Sequence, residues 1–306
     1  MITTPIVPAD MPVVDVLLNA SALNETACRR RYRYTCIDGL VPNDDNEFVV
    51  FGNAVHYYAE DRLRGHDHSH AFRRAITYYG DRPELPKLVA ALGTMPPANT
   101  FVPPYNDPER GLYVEHKFRI YWRTIVADGV AYNIWICGTM DVVSFTADGM
   151  VRIVDWKTAR KRDPDEIFAE YAISTQFQFY LWVAQRFAFD LFPLPLANAA
   201  HDYKIFLQPC VILLSWTPVQ WRLGPALQTW PAKLAELEQT LIAHIHDTII
   251  PAHDPARATP DGLVRNACSG GYKCRYAGIC HATTPEAADW ARARFGTRAY
   301  DPAAFR

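Results

Sequence analysis

Asp155 and Lys157 stand two residues apart in the run Val151-Arg152-Ile153-Val154-Asp155-Trp156-Lys157. Side chains of an extended strand alternate between faces, so this carboxylate and ammonium leave the same face while Val154 and Trp156 take the other. Charged groups near the end of an otherwise apolar strand are costly unless they serve something. A second carboxylate, Asp141, lies in the preceding run Gly138-Thr139-Met140-Asp141-Val142-Val143. Asp148-Gly149 between the two runs is a hairpin signal, which brings Asp141 near Asp155 across a strand pair. Two ionised carboxylates at one point repel, and a hard cation such as Mg2+ or Mn2+, which prefers oxygen ligands, removes that repulsion. Such an ion activates water and polarises a phosphate oxygen, while a neighbouring ammonium orients the water or neutralises charge growing on the phosphate. The trio therefore suits phosphodiester hydrolysis. The competing reading is an Asp–Lys surface ion pair on an edge strand, and the trio alone does not separate the two.

The second group with chemical potential is sulfur. Cys268, Cys274 and Cys280 are spaced by five residues each in a segment containing Gly270, Gly271 and Gly278, which lets the backbone bend tightly around a bound centre. Three thiolates are one short of a tetrahedral zinc site or an iron–sulfur cluster, and the spacing does not discriminate between the two. The fourth ligand must come from elsewhere, with Cys28 and Cys36 near the N-terminus as candidates. Cys137 and Cys210 sit in apolar, strand-like runs and read as core thiols. Residues 1–18 lack a basic n-region, so no secretory signal is expected there. A reducing compartment follows, the cytoplasm or a host's cytoplasm for a phage protein, where clustered cysteines favour metal ligation over disulfides.

The elements that must position these groups follow from periodicity. Ser21 is expected to cap a helix from Ala22, with Glu25 near the capping-box position, and that helix would carry Cys28 and the arginines after it. Phe48, Phe51, Val55 and Tyr58 recur at helical spacing over 47–63, and a second helix is expected over 68–79. Residues 80–110 are rich in Pro and Gly and read as a long connection. Residues 112–122, 131–145 and 151–157 are rich in β-formers and predict a three-strand antiparallel meander. One long helix is expected over 164–187, a strand over 203–216 with an interruption at Pro209, and an amphipathic helix over 230–247. The order predicts an α/β core, a small mixed sheet flanked by helices. Residues 1–20 read as a lead-in ending in a short apolar piece, 21–282 as one domain, and 283–306 as a short helix and tail.

Apolar residues at 49% and charged residues at 21% allow an ordinary core in a chain of 306. No apolar run reaches about 18 residues, so no membrane span is expected. The net charge of −2 neither favours nor excludes nucleic acid, because basic charge can be confined to one groove. Two basic runs could line one: Arg29-Arg30-Arg31-Tyr32-Arg33, and Lys157 through Lys161 and Arg162. Arginines interleaved with Tyr32 and Tyr34 suit a groove that tracks a phosphate backbone and stacks bases of a single strand, the alternatives being a solvated face for the basic runs and an aromatic core on a helix for the tyrosines.

Gly138-x-x-Asp141, then Asp155-x-Lys157, then a helix with Gln176-x-x-x-Tyr180, resembles the PD-(D/E)XK nuclease superfamily and, within it, the RecB-like exonuclease branch. His56, in Gly52-Asn53-Ala54-Val55-His56, matches the upstream helix histidine of that branch. The resemblance spans about residues 20–282 and implies a restriction-endonuclease-like core. It implies Asp141 and Asp155 as metal ligands, the backbone carbonyl of Trp156 and His56 as further ligands, and Lys157 as the catalytic lysine. Gln176 and Tyr180, one helical turn apart and on one face, would support the site and contact DNA. Gln178, on a different face, ranks below Gln176, and Glu115 resembles a family strand position. Ser21-Ala22-Leu23 followed by Cys28-Arg29-Arg30-Arg31-Tyr32 resembles the N-terminal stretch of the iron–sulfur members of this branch, the AddB nuclease domain and the CRISPR adaptation nucleases, with Arg29 where Pro is common. By that resemblance Cys28 joins Cys268, Cys274 and Cys280 on a [4Fe-4S] cluster that staples the groove, with zinc the runner-up and Cys36 the substitute ligand. The implied function is a metal-dependent DNA exonuclease acting on single strands or ends in recombination, repair or phage replication. A structure-selective or CRISPR-adaptation-type endonuclease, or a non-catalytic DNA-end-binding protein, is the alternative. An oxidoreductase lacks any glycine fingerprint for a dinucleotide.

Overall fold

The computed structural model describes residues 10–42, 46–97, 112–145, 150–160, 163–192, 204–214, 218–229, 231–254, 274–280 and 284–297, together with residues 8, 100 and 257. In chain order the elements are β1 (Val13–Leu18), α1 (Ala20–Glu25), α2 (Arg29–Tyr32), β2 (Leu40–Pro42), α3 (Glu47–Leu63), α4 (His68–Tyr79), α5 (Leu85–Gly93), β3 (Tyr113–Ala127) and β4 (Val130–Phe145). There follow β5 (Val151–Ala159), α6 (Pro164–Ala172), α7 (Thr175–Arg186), α8 (Ala188–Leu191), β6 (Ile205–Leu213), β7 (Gln220–Leu223), α9 (Pro231–His244), α10 (Ile250–His253), α11 (Ala277–Cys280), α12 (Pro285–Arg292) and β8 (Phe295–Thr297). This is a mixed α/β fold with a mixed sheet and flanking helices, as the sequence predicts. Among the described residues no helix is long and apolar enough to cross a membrane.

The chain forms two compact units, one of residues 1–44, 118–138 and 231–306, the other of 45–117 and 139–230. In the first, β1 runs parallel to the first half of β4, from Val13 opposite Ala131 to Leu18 opposite Ile136. The apolar end of the expected lead-in is thus a sheet strand. Asp128 and Gly129, with φ of 51° and 74°, make the tight turn between β3 and β4, the Asp-Gly chemistry of a two-residue hairpin. Asn19, not Ser21, caps α1, its side chain accepting from the Ala22 N–H at 2.7 Å. α1 ends at Glu25, so Cys28 and the arginines belong to the separate, shorter α2. β8, inside the expected C-terminal tail, pairs antiparallel with β2, Leu40 opposite Thr297. Buried Tyr34, Leu40, Tyr276, Ile279 and Ala291 form a small core beneath that pairing.

The second unit holds Asp141, Asp155 and Lys157. α3 starts at Asn46, whose side chain accepts from the Phe48 N–H, and buries Phe51, Val55 and Tyr58 as the spacing predicts. Asp67 caps α4 through the His70 N–H at 2.8 Å. The expected long connection over 80–110 contains α5, which carries Pro86 in its first turn, where a missing N–H costs nothing. The second half of β4 pairs antiparallel with β5, which pairs parallel with β6, and β6 antiparallel with β7. β6 runs through Pro209 without interruption; the Pro209 carbonyl accepts from the Gly224 N–H at 2.8 Å. The expected helix over 164–187 is broken at Ile173-Ser174, because the Ser174 hydroxyl accepts from the Phe177 N–H and starts α7 afresh. Val154 and Trp156 on β5 and Val142 on β4 join Phe51, Val55 and Trp221 in one buried cluster.

Candidate active site

Alternation along β5 does what the sequence requires of it. Val154 and Trp156 are fully buried in the core, and Asp155 and Lys157 leave the other face as an ion pair, Nζ to Oδ2 at 2.7 Å. The β4–β5 ladder reaches Val142 opposite Val154. Beyond it the Trp156 N–H is taken by the Asp141 carboxylate, which accepts at 2.7 Å through Oδ2. This bond fixes Asp141 beside Asp155 and leaves Oδ1 directed elsewhere.

His56, on α3, approaches from above β5. Its Nε2–H donates to the Trp156 carbonyl at 3.2 Å, which turns Nδ1 toward two carboxylates. Asp141 Oδ1 lies 3.6 Å and Glu115 Oε1 3.8 Å from Nδ1. Glu115 reaches this point through an unusual backbone: its φ is 53°, a left-handed conformation that costs a non-glycine residue about 1 kcal/mol or more. The strand pattern around it contains no signal for that twist. Glu115 therefore joins the site more firmly than its sequence context indicates.

α7 supplies the flank. Gln176 Nε2 donates to Asp155 Oδ1 at 3.2 Å, and the Tyr180 hydroxyl donates to the Thr139 carbonyl at 2.8 Å. The i,i+4 pair thus ties α7 to both acidic strands. Gln178 points the other way and donates to the Ala172 carbonyl at 2.7 Å, closing the end of α6. Gly138, at the head of the Gly-x-x-Asp run, belongs to the first unit. A Cβ there would lie 2.8 Å from the Phe118 ring, so any larger residue would have to displace that ring.

The electrostatics are those of a strained, charged site. Burial pushes the Asp155 carboxyl up to about 6; Lys157 opposes this and Asp141 adds to it. Burial lowers the His56 imidazole, but Asp141 and Glu115 outweigh it and raise it to about 9. Lys157 is likewise depressed by burial and raised above its ordinary value by Asp155 and Asp141. Burial and the two aspartates raise Tyr180. Asp155 Oδ2 accepts no well-aligned hydrogen bond although it is buried and close to Lys157. Negative charge is in excess here, which is the condition a cation relieves.

His56, Glu115 and Asp141 present one ligand atom each, all within 4.8 Å of one another. One nitrogen and two carboxylate oxygens, with a buried and incompletely bonded Asp155 oxygen beside them, fit Mg2+ or Mn2+. Relative to the sequence expectation of His56, Asp141, Asp155 and the Trp156 carbonyl, the arrangement adds Glu115. It also engages the Trp156 carbonyl with His56 and Asp155 with Lys157 and Gln176.

The other expected site residues belong to the first unit or fall outside the described residues. Arg29 Nε donates to the Asp247 carbonyl at 2.7 Å, Arg30 to the Cys280 carbonyl at 3.4 Å, and Arg31 to both Glu25 oxygens. These three arginines bond to the protein itself. Lys161, Arg162 and Cys268 fall outside the described residues. Cys28 is buried, and Cys274 and Cys28 raise the Cys280 thiol, which burial pushes up to about 11. Burial takes the Cys36 thiol to about 12, with Glu25 and Arg275 as its charged neighbours. Cys137 and Cys210 are buried among apolar residues, as expected of core thiols.

The family model for the PD-(D/E)XK nuclease superfamily matches residues 18–281. No curated protein matches the chain. Among solved structures, the chain is similar to the crystal structure of a "Putative exonuclease" from Eubacterium rectale. The identity is 11%, the TM-score 0.43, and the match covers 80% of this chain and 84% of that one. It is also similar to the crystal structure of SSO0001, at 13% identity and a TM-score of 0.25, covering 70% of this chain and 88% of that one.

Proposed function

The chain belongs to the PD-(D/E)XK nuclease superfamily, and we propose that it is a metal-dependent DNA exonuclease acting on single strands or DNA ends. The observation that carries the reading is the convergence of His56, Glu115, Asp141, Asp155 and Lys157 on one point of the second unit, with Gln176 bonded to Asp155. Mg2+ or Mn2+ held by His56, Glu115 and Asp141, with Asp155 alongside, would supply Lewis acidity at the scissile phosphate. Lys157 is protonated throughout the neutral range, so it can hold an attacking water by its lone pair and offset negative charge growing on the phosphate. Gln176 keeps Asp155 in one rotamer, and the Trp156 N–H does the same for Asp141. The His56 Nε2–H bond to the Trp156 carbonyl holds the ring so that Nδ1 faces the carboxylates.

End-labelled linear and covalently closed circular single-stranded DNA, incubated with Mg2+, Mn2+ or EDTA, test this. Metal-dependent loss of nucleotides from linear DNA, with closed circles intact, is the expected result. Cleavage of the circles would convert the reading to an endonuclease. No cleavage of any substrate, or cleavage that survives Asp155→Asn, would overturn it.

The second part of the proposal concerns the first unit: Cys28, Cys274 and Cys280, with Cys268, ligate a [4Fe-4S] cluster that holds the two ends of the chain together. Cys274 and Cys28 lie close enough for their charges to raise the Cys280 thiol, whereas Cys36 faces Glu25 and Arg275. That environment supports Cys28 over Cys36 as the N-terminal ligand. A brown anaerobic preparation with visible absorbance that Cys28→Ser bleaches is expected. A colourless protein carrying zinc that Cys28→Ser removes would replace the cluster by zinc, since four thiolates suit both.

A further inference from the structure

The helical hairpin of α3 and α4 carries a second group of metal-ligating side chains that the catalytic centre does not use. Asp61 lies in the last turn of α3, His70 in the first turn of α4, and His66 in the short link between them. One ligand atom from each lies within 4.8 Å of the others. Among the described residues, this trio and that of His56, Glu115 and Asp141 meet this condition.

Three features separate the trio from a chance gathering of surface groups. Asp61 is buried, and its Oδ2 has no hydrogen-bond partner; His70 Nε2 lies 3.8 Å from it. A buried carboxylate oxygen left without a partner is costly, so the open side of Asp61 asks for one. The other oxygen, Oδ1, accepts from Arg74, which also pairs with Glu60 Oε2 at 3.2 Å. A carboxylate anchored through one oxygen and open at the other is how metal-binding carboxylates are oriented. Glu60, which also pairs with Arg64 at 2.6 Å, balances part of this positive charge.

The imidazoles are placed with equal definition. The His66 N–H donates to the Asp61 carbonyl at 3.0 Å, and the His66 carbonyl accepts from Arg62 at 3.0 Å. The His66 and His70 rings stack with centroids 4.5 Å apart and planes 23° from parallel. Both rings are exposed, so an ion can reach them and water can complete its coordination. His68, which lies between them in sequence, is turned away and bonds through Nδ1 to the Tyr58 hydroxyl at 2.8 Å.

We propose that Asp61 Oδ2, His66 and His70 form a second metal site, selective for a borderline divalent ion of the zinc class. Two imidazoles and one carboxylate suit zinc, nickel or cobalt, whereas Mg2+ demands more oxygen. A four-coordinate ion spaces its ligand atoms about 3.3 Å apart, so small rotations of the exposed rings close the present spacing. The ion would pin the end of α3 to the start of α4, and α3 is the helix that carries His56.

The test is zinc stoichiometry on the EDTA-stripped full chain. Asp141→Asn serves as the parent, so that the catalytic ligands do not compete. Zinc bound after equilibrium dialysis is compared between this parent and the same chain with His66→Ala and His70→Ala, and with His70→Gln alone. Any zinc on the cysteines counts equally in all of them. The expected result is one zinc fewer per chain in both variants. Zinc should raise the melting temperature more for the parent than for either variant. Co2+ at this site should give a visible ligand-field band without a thiolate band in the near ultraviolet. Because both rings are exposed, the metal-free variants should melt with the metal-free parent. Equal zinc content in parent and both variants would overturn the proposal, as would a Co2+ spectrum that the histidine changes leave intact.

Discussion

Two buried acidic groups, one in each unit, show how differently the same side-chain chemistry can be used. In the first unit Glu25 is buried, yet every lone pair has work. Arg31 reaches both of its oxygens at 2.5 and 3.0 Å, Arg275 donates at 2.9 Å, and Thr35 donates at 3.2 Å. In the second unit Asp141 and Asp155 are as buried, but their surroundings are unbalanced. His56 Nδ1 stands off from Asp141 and Glu115 at 3.6 and 3.8 Å, and Asp155 is pushed up to about 6 by burial. A saturated carboxylate is a structural fastener, because charge-assisted bonds repay its desolvation only when complete. An unsaturated pair of carboxylates stores repulsion that a cation or a substrate releases. The difference is in the partners supplied, and it separates a carboxylate that fastens the first unit from the pair on which the proposed chemistry rests.

The contrast can be broken at its strongest point first. Asp155→Asn should reduce cleavage of linear DNA by at least about a thousandfold, as loss of a key electrostatic group does. It should leave the melting temperature within a few degrees, because it removes a repelled charge from Asp141. A large loss of stability together with intact cleavage would reverse the assignment of the two regions. Glu25→Ala should do the opposite. Three donors lose a shared buried acceptor, so urea denaturation should show a loss of about 3–5 kcal/mol, with little change in cleavage per folded chain. Gln176→Ala should lower the cleavage rate about ten- to hundredfold through loss of one bond to a charged group, read in single-turnover assays. Gln178→Ala, two residues away, should cost only about 0.5–1.5 kcal/mol from the end of α6 and leave single-turnover cleavage unchanged. Equal effects of the two glutamines on cleavage would show that Gln176 acts through helix stability alone.

That glutamine pair also marks how far the sequence reached. Both lie in one short run, and helical spacing put Gln176 and Tyr180 on one face, which the bonds to Asp155 and Thr139 bear out. The capping of α7 by Ser174 was not legible in the same way, since a Ser in an apolar-periodic stretch is compatible with a continuing helix. The arginines after Cys28 are legible as a basic run, but their bonds to the Asp247 and Cys280 carbonyls and to Glu25 are not. Charge in a sequence gives the number of donors and leaves open which acceptors lie within reach.

By itself, then, the sequence determined the same-face placement of Asp155 and Lys157, the apolar backing of Val154 and Trp156, and the helix that carries His56. Each follows from the two- or 3.6-residue repeat of a backbone, which operates over a few residues and needs no partner. Only the tertiary structure decided that Glu115 comes within reach of His56 and Asp141 through a left-handed backbone at φ 53°, and that the Trp156 N–H holds Asp141. It alone brought Asp61 and His70 together across the turn from α3 to α4. Contacts of this kind depend on where the chain returns after a turn or a crossover. That path is set by the packing of the whole core rather than by any local run of residues.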